Sequence, residues 1–254
     1  VPARGWGGKV MARGTMVDQV ADRVAFQIAS GQVRAGETLP SIRRLAAEHD
    51  VNPSTVQQVL SRLHAAGFVE PRHGLGVVVR DVRADGGIET WRYLFRFSRR
   101  LPDLAVRSVQ ELLEMLQVFY AATLAKIMAD QGAHDAAPAR RAWRQLELLV
   151  GEGDTTPARV HQGVMQILRS ASAATGAGIG IGLINSLGGL LAEVPEVLEA
   201  VYADPGAHLW WWGELITAWE TTDEALGRQL IALLDDWHAE TVDRVRALLT
   251  AQPV

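Results

Sequence analysis

The chain has 254 residues, 48% hydrophobic and 21% charged, enough for one large packed domain or two smaller ones, and its lack of cysteine excludes disulfide scaffolds, thiol nucleophiles, Cys-ligated zinc and Fe–S clusters. The formal net charge of −4 is unevenly divided, with 11 Lys and Arg against 7 Asp and Glu through Arg83 and 14 against 22 after it. No stretch reaches the roughly 18 unbroken apolar residues of a membrane span and residues 1–16 lack the apolar core of a signal peptide, so a cytoplasmic location is expected.

Residues 1–16 are expected to be a disordered leader, with Met11 or Met16 as the natural start. From Val17 to Ser30, Val17, Val20, Ala21, Val24 and Ile28 fall on one helical face, and Gly31 stops the helix. After the polar turn GQVRAGETLP, Ser41 is the N-cap of a short helix Ile42–Glu48 with Leu45 and Ala46 inward. Asn52 then caps a third helix that opens at Pro53, with Val56, Val59, Leu60 and Leu63 as its buried stripe. Two short helices joined by a tight turn form a helix-turn-helix, which turns Ser54, Thr55, Gln57 and Gln58 toward a major groove. Beyond Gly67 the period changes to that of two short strands, Phe68–Pro71 and Val77–Arg80, around a turn at His73–Gly76. This is a wing, with Arg72, His73 and Gly74 at its tip for a phosphate or minor-groove contact. Ser41, Arg43, Arg44, Asn52 and Arg62 complete the candidate DNA-facing set.

The run GQVRAGETLPSIRRLAAEHDVNPSTVQQVLSRLHAAGFVEPRHGLGVVV resembles the N-terminal winged helix of the GntR family of transcription regulators. The resemblance implies a backbone- or base-contacting role for Arg43, a hydroxyl pair at Ser54 and Thr55, and a wing tip at His73-Gly74. Pro53 and Gln57 stand where many relatives carry arginine, which argues against an arginine-to-guanine readout there; Gln57 and Gln58 suit adenine edges.

Residues 82–88 are polar and glycine-bearing, the composition of a linker between a domain at 17–81 and a second at 89–254. The rest reads as helix throughout, an antiparallel bundle of about seven helices, making the chain mainly α with one small β wing. The all-helical second part is similar to the FadR-type group, which implies a dimeric, ligand-responsive repressor acting on a palindromic operator. It is not expected to be an enzyme: no Ser/His/Asp order or HExxH stands out.

Two readings of the bundle's ligand are open. The metal-binding variety of the group carries Asp-x-x-x-His on one helix and further histidines on the last two. Here Pro157 stands four residues before His161 and Trp212 replaces an expected His, leaving His161, His208 and His238 as a candidate zinc or nickel set beside a carboxylate effector. The other reading is an apolar effector. GAGIGIGLINSLGGLL holds six glycines and no charge, and each glycine costs about 1 kcal/mol in a helix, so close approach by a ligand or a neighbouring helix must favour them. With the aromatic residues nearby, Phe119, Tyr120, His161, Gly182, Asn185, Trp212, Trp219 and His238 form the candidate effector set; resemblance to the fatty-acid-responsive branch implies acyl-CoA or a similar ligand. The glycine run is no dinucleotide loop, because helices flank it where a strand should precede. A third reading has the winged helix contacting protein instead of DNA.

Overall fold

The computed structural model describes residues 15–130, 134–153 and 155–251. Most of the leader expected over 1–16 lies outside the described residues. Contacts divide the chain into two compact units, one running through Leu94 and one from Phe95.

The first unit opens with α1 (Met16–Ala29), held at its start by a reciprocal cap: the Thr15 hydroxyl accepts from the Asp18 N–H, and the Asp18 carboxylate accepts from the Thr15 N–H. Its inner face of Val20, Ala21, Val24 and Ile28 packs on α3 (Pro53–Ala65), whose Val56, Val59 and Leu63 are buried and whose Leu60 is only partly covered. α2 (Ile42–Glu48) begins immediately after its Ser41 cap and places Leu45 and Ala46 against Val56. β1 (Val69–Arg72) and β2 (Gly76–Val79) pair antiparallel with Arg72 opposite Gly76, one residue out of step with the strands expected from the sequence. Gly74 and Gly76 take φ of 76° and 94°, the left-handed backbone that closes so short a turn.

A third extended segment was not expected. Thr38 bridges Val78, Leu39 N–H donates to Val77 O, and Gly36 N–H donates to Val79 O, so part of the apparent polar turn is a sheet edge.

The first unit also reaches beyond the expected boundary. α4 (Ile88–Arg96) begins within the segment read as linker, and its N-terminal turns belong to the winged helix: the Thr90 hydroxyl donates to Ala66 O at 2.7 Å, and Tyr93 meets Phe68 edge-on at 5.5 Å. Phe68 and Thr90 are buried, and a buried aromatic of that size contributes about 1.5–3 kcal/mol. A polar, glycine-bearing sequence therefore does not mark a break here, because residues 81–87 close on themselves: Asp81 Oδ1 accepts from the N–H groups of Arg83 and Ala84.

The second unit is helical. Its long helix α5 (Pro102–Ala129) packs on α11 (Glu224–Ala232) and α12 (Leu234–Thr250) through Leu112, Leu113 and Leu116 among others. α6 (Ala137–Gly151) lies between α7 (Pro157–Ala174) and α10 (Pro205–Thr221), while α7 also carries α8 (Gly178–Leu191) and α9 (Pro195–Val201). From Ile88 on, the described residues hold nine helices, α4 to α12, where about seven were expected; one of the extra breaks falls at Leu233, between α11 and α12. Proline at the first turn of α5, α6, α7, α9 and α10 starts each where its missing N–H costs nothing.

The glycines of α8 are accounted for by packing at one end. A Cβ at Gly188 would lie 2.4 Å from Met165 Sδ, so glycine there is what lets α7 and α8 approach.

Candidate functional site

The start of α3 is organised by one side chain. Asn52 Oδ1 accepts from the Thr55 N–H at 2.7 Å, the Ser54 hydroxyl at 2.7 Å and the Thr55 hydroxyl at 2.9 Å. The cap therefore fixes both hydroxyls at the helix tip and leaves the Asn52 amide as a donor. Gln57 and Gln58, one turn on, are exposed. On α2, Ser41 is committed to capping through the Arg44 N–H, and Arg44 Nε donates to Glu48 at 2.8 Å. Arg43 is exposed and has no partner among the described residues. At the wing, Arg72 is held by Glu70 at 3.3 Å while His73 and Gly74 stand in solvent.

Arg62 differs from this group. Its guanidinium forms an ion pair with Asp18 of α1, and its Nε donates to the Tyr93 hydroxyl of α4 at 2.7 Å. It ties three helices together through its Nε and one terminal nitrogen.

Residues 16–79 match the family profile described as bacterial regulatory proteins, gntR family. The winged helix is a GntR-family domain. Among relatives, the HTH-type transcriptional regulator Mce2R of Mycobacterium tuberculosis is 38% identical over 102 residues, 40% of this chain and 42% of that protein. The mannosyl-D-glycerate transport/metabolism system repressor MngR of Escherichia coli is 34% identical over 95 residues, 37% of this chain and 38% of that one. The chain spans about two fifths of the length of these curated relatives. The solved structure of Lar, described as controlling expression of the Listeria monocytogenes agr system and mediating virulence, aligns over 92% of this chain and 98% of its own at a TM-score of 0.51 and 15% identity, a likeness of fold. The relatives that match the GntR domain in sequence are named as transcription regulators.

Beyond the GntR domain, the second unit has a narrow apolar cavity between α5, α7 and α10. Phe119, Tyr120, Trp212 and Trp219 of the candidate effector set line it, together with Ile167 and Ile216, which no local pattern singled out. A second cavity holds Tyr120, Trp212 and His238, with His208, Tyr202 and Trp237. His161 lines neither; it stands behind Tyr202, 2.9 Å from the hydroxyl. Gly182 and Asn185 are exposed on the outer side of α8, where Asn185 accepts from Arg169 Nε at 2.7 Å, and neither lines these two cavities. The α8 glycine that makes a close approach is Gly188, and its partner is Met165 rather than a ligand.

The three histidines do not make a metal centre. Among the described residues no group of three His, Asp or Glu side chains is placed to hold an ion. Both ring nitrogens of His161 are engaged, Nε2 facing Gly188 O at 3.1 Å and Nδ1 facing the Tyr202 hydroxyl. A carbonyl can only accept, so Nε2 carries the proton and Nδ1 accepts from tyrosine, leaving no lone pair for a metal. His208 Nε2 donates to Val201 O at 2.7 Å, and its ring packs against Trp237 with centroids 4.4 Å apart. Burial holds all three neutral, lowering His161 below its ordinary value and His208 and His238 to about 4. His161 and His208, which sequence spacing grouped as ligands, are hydrogen-bond and ring partners instead, and the buried Nδ1 of His238 has no hydrogen-bond partner among the described residues.

Proposed function

We propose that this chain is a dimeric DNA-binding repressor of the FadR-like group, acting in the cytoplasm and released from a palindromic operator by an apolar or acyl-type ligand, acyl-CoA included, bound in the second unit. The observation that carries the reading is the polar end of α3 in a GntR-family domain, with Gln57 and Gln58 exposed beyond it. Asn52 presets the Ser54 and Thr55 hydroxyls, Gln57 and Gln58 follow one turn later, and Arg43 is an unpaired cation beside them. Phosphate contacts would come from Arg43 and the wing residues Arg72, His73 and Gly74; base contacts would come from the glutamines. The relative named a repressor supports the direction of regulation.

Selection of binding sites from random duplexes with the full chain, followed by anisotropy titration, tests this. A two-fold-symmetric site with half-sites about 34 Å apart is expected. Arg43→Ala should weaken binding to all duplexes alike and lower the salt slope by about one. Gln58→Ala should relax base preference at one position at a cost of about 1–3 kcal/mol. Enrichment of no sequence over random duplex would overturn the reading and leave the winged helix as a protein-contacting module.

A further inference from the structure

The first unit carries a second basic surface, at the end of the domain away from its reading tip. A cleft opens there between the C-terminal end of α1, the loop that follows it and the segment that leaves β2. Arg34, Arg80 and Arg83 line it, over a floor of buried Ile28 and Val82 and half-buried Val33. Its place follows from the backbone. Arg80 N–H donates to Phe68 O at 2.9 Å, and Phe68 stands just past the C-terminal end of α3, whereas Asn52, Ser54 and Thr55 stand at the other end. α3 has 13 residues, about 20 Å at 1.5 Å each. The wing tip at His73 and Gly74 likewise lies at the opposite end of β2 from Arg80. A duplex held by α3 and the wing tip therefore leaves this cleft open.

The cations of the cleft are not used by the domain itself. Arg34 and Arg83 are exposed, and their guanidinium groups meet no acid or acceptor among the described residues. Arg80 makes one bond, from a terminal nitrogen to Asp85 O at 3.3 Å, which leaves its charge in place. Asp81, the one acid in the lining, is turned to the backbone: its Oδ1 accepts from the N–H groups of Arg83 at 3.0 Å and Ala84 at 3.1 Å. Nor do the arginines cap α1, because the carbonyls of Phe26, Gln27 and Ile28 accept from the N–H groups of Ser30, Val33 and Gly31. Backbone donors are in surplus as well. The N–H groups of Arg34, Ala35 and Val82, all lining residues, have no acceptor among the described residues.

We infer that this cleft binds a small organic phosphate, with the phosphate dianion between Arg34 and Arg83 and its apolar part on Val33 and Val82. Three arginines against one aspartate leave two positive charges, which match a phosphate monoester and exceed a carboxylate. The planar guanidinium fork grips phosphate oxygens through parallel hydrogen bonds, and an apolar floor beside it keeps water away and strengthens the attraction. The site lies apart from the end of α3 that would meet DNA and belongs wholly to the first unit, so it depends neither on an operator nor on what the second unit binds.

Calorimetry on the full chain at low ionic strength tests this with three probes, phenyl phosphate, inorganic phosphate and benzyl alcohol, while methyl resonances of Val33 and Val82 report the place of binding. Phenyl phosphate should bind and shift both valines, inorganic phosphate should bind at least about threefold more weakly, and benzyl alcohol should not bind. R34Q/R83Q should lose at least about tenfold in affinity for phenyl phosphate with an unchanged melt, since both positions are exposed. R34Q and R83Q singly should each lose at least about threefold, so the assignment does not hang on the folding of the double variant. Arg43→Ala, at the reading end, should bind phenyl phosphate as the parent does, and saturating duplex DNA should leave that affinity within about threefold. An R34Q/R83Q variant that binds as the parent does, loss of binding in Arg43→Ala, or displacement of phenyl phosphate by the duplex would overturn the site. Equal affinity for phenyl phosphate and inorganic phosphate would overturn the role of the floor, and benzyl alcohol binding as tightly as phenyl phosphate would overturn the role of the arginines.

Discussion

Arg43 and Arg62 carry the same charge and lie within the same motif, yet the structure gives them opposite work. Arg43 projects from α2 with no partner among the described residues, whereas Arg62 holds Asp18 and Tyr93 and so joins α1, α3 and α4. Arg62→Ala should therefore lower the thermal stability of the first unit by about 1 kcal/mol, a figure reduced for partial exposure, and Arg43→Ala should leave the melt unchanged while weakening DNA binding. Calorimetry alongside anisotropy checks the pair; equal melting of both variants would contradict the division. Sequence alone grouped the two arginines, since both fall on the polar side of short helices. What separated them was Tyr93, some thirty residues further on and read as part of the other domain.

At the scale of elements, local signals were most legible where a cap and an apolar stripe agreed. Ser41 and Asn52 gave the starts of α2 and α3, and Val56, Val59 and Leu63 gave the buried face. The Thr38 edge was not legible because its strand character comes from pairing with β2, forty residues away, and nothing in a polar turn announces that. The histidines misled for the same kind of reason: their spacing suggested ligands, while their neighbours make them a neutral seam. His161 on α7 meets Tyr202 at the end of α9, Tyr202 meets His208 on α10 at 4.7 Å between centroids, and His208 meets Trp237 on α12. The seam joins four elements only while its imidazoles are uncharged. Unfolded histidine binds a proton near pH 6.5, and folded His208 and His238 do so only near pH 4, so the unfolded chain holds more protons in between. The stabilisation is thus complete above about pH 6.5 and is lost as the pH falls toward 4. Melting temperatures between pH 7.5 and 4.5 should fall on the acid side, and His208→Gln should flatten the slope; a profile unchanged by that substitution would exclude the seam as its source.

For the whole molecule, the second unit exposes an uncharged surface that a single copy does not cover. On α5, Met115, Val118, Ala122 and Ala125 form an outward stripe, with Val118 69% exposed. On α8, Ile179 is 93% exposed and Leu183 43%, and a Cβ at Gly180 would lie 3.5 Å from the Phe119 ring, which sets the two surfaces side by side. An 18-residue window of α5 reaches a mean hydropathy of 1.4, although the inner face of the helix is buried against the bundle. If the chain dimerises on a two-fold operator as proposed, this surface is where a second copy is expected to sit. Val118→Glu and Ile179→Glu should each give a monomer by sedimentation, with helicity intact and operator affinity reduced at least about tenfold; a dimer that survives both would place its interface elsewhere.

Small sheets tend to zip together along free backbone edges. In the wing, β2 is covered on one side by β1 and on the other by Thr38, so β1 is the outer strand. Its third residue is Pro71, which has no N–H to offer, and Glu70 and Arg72 place opposite charges on either side of it. The same few residues that present a basic tip thereby deny a template for strand addition, so the wing resists aggregation through its own edge.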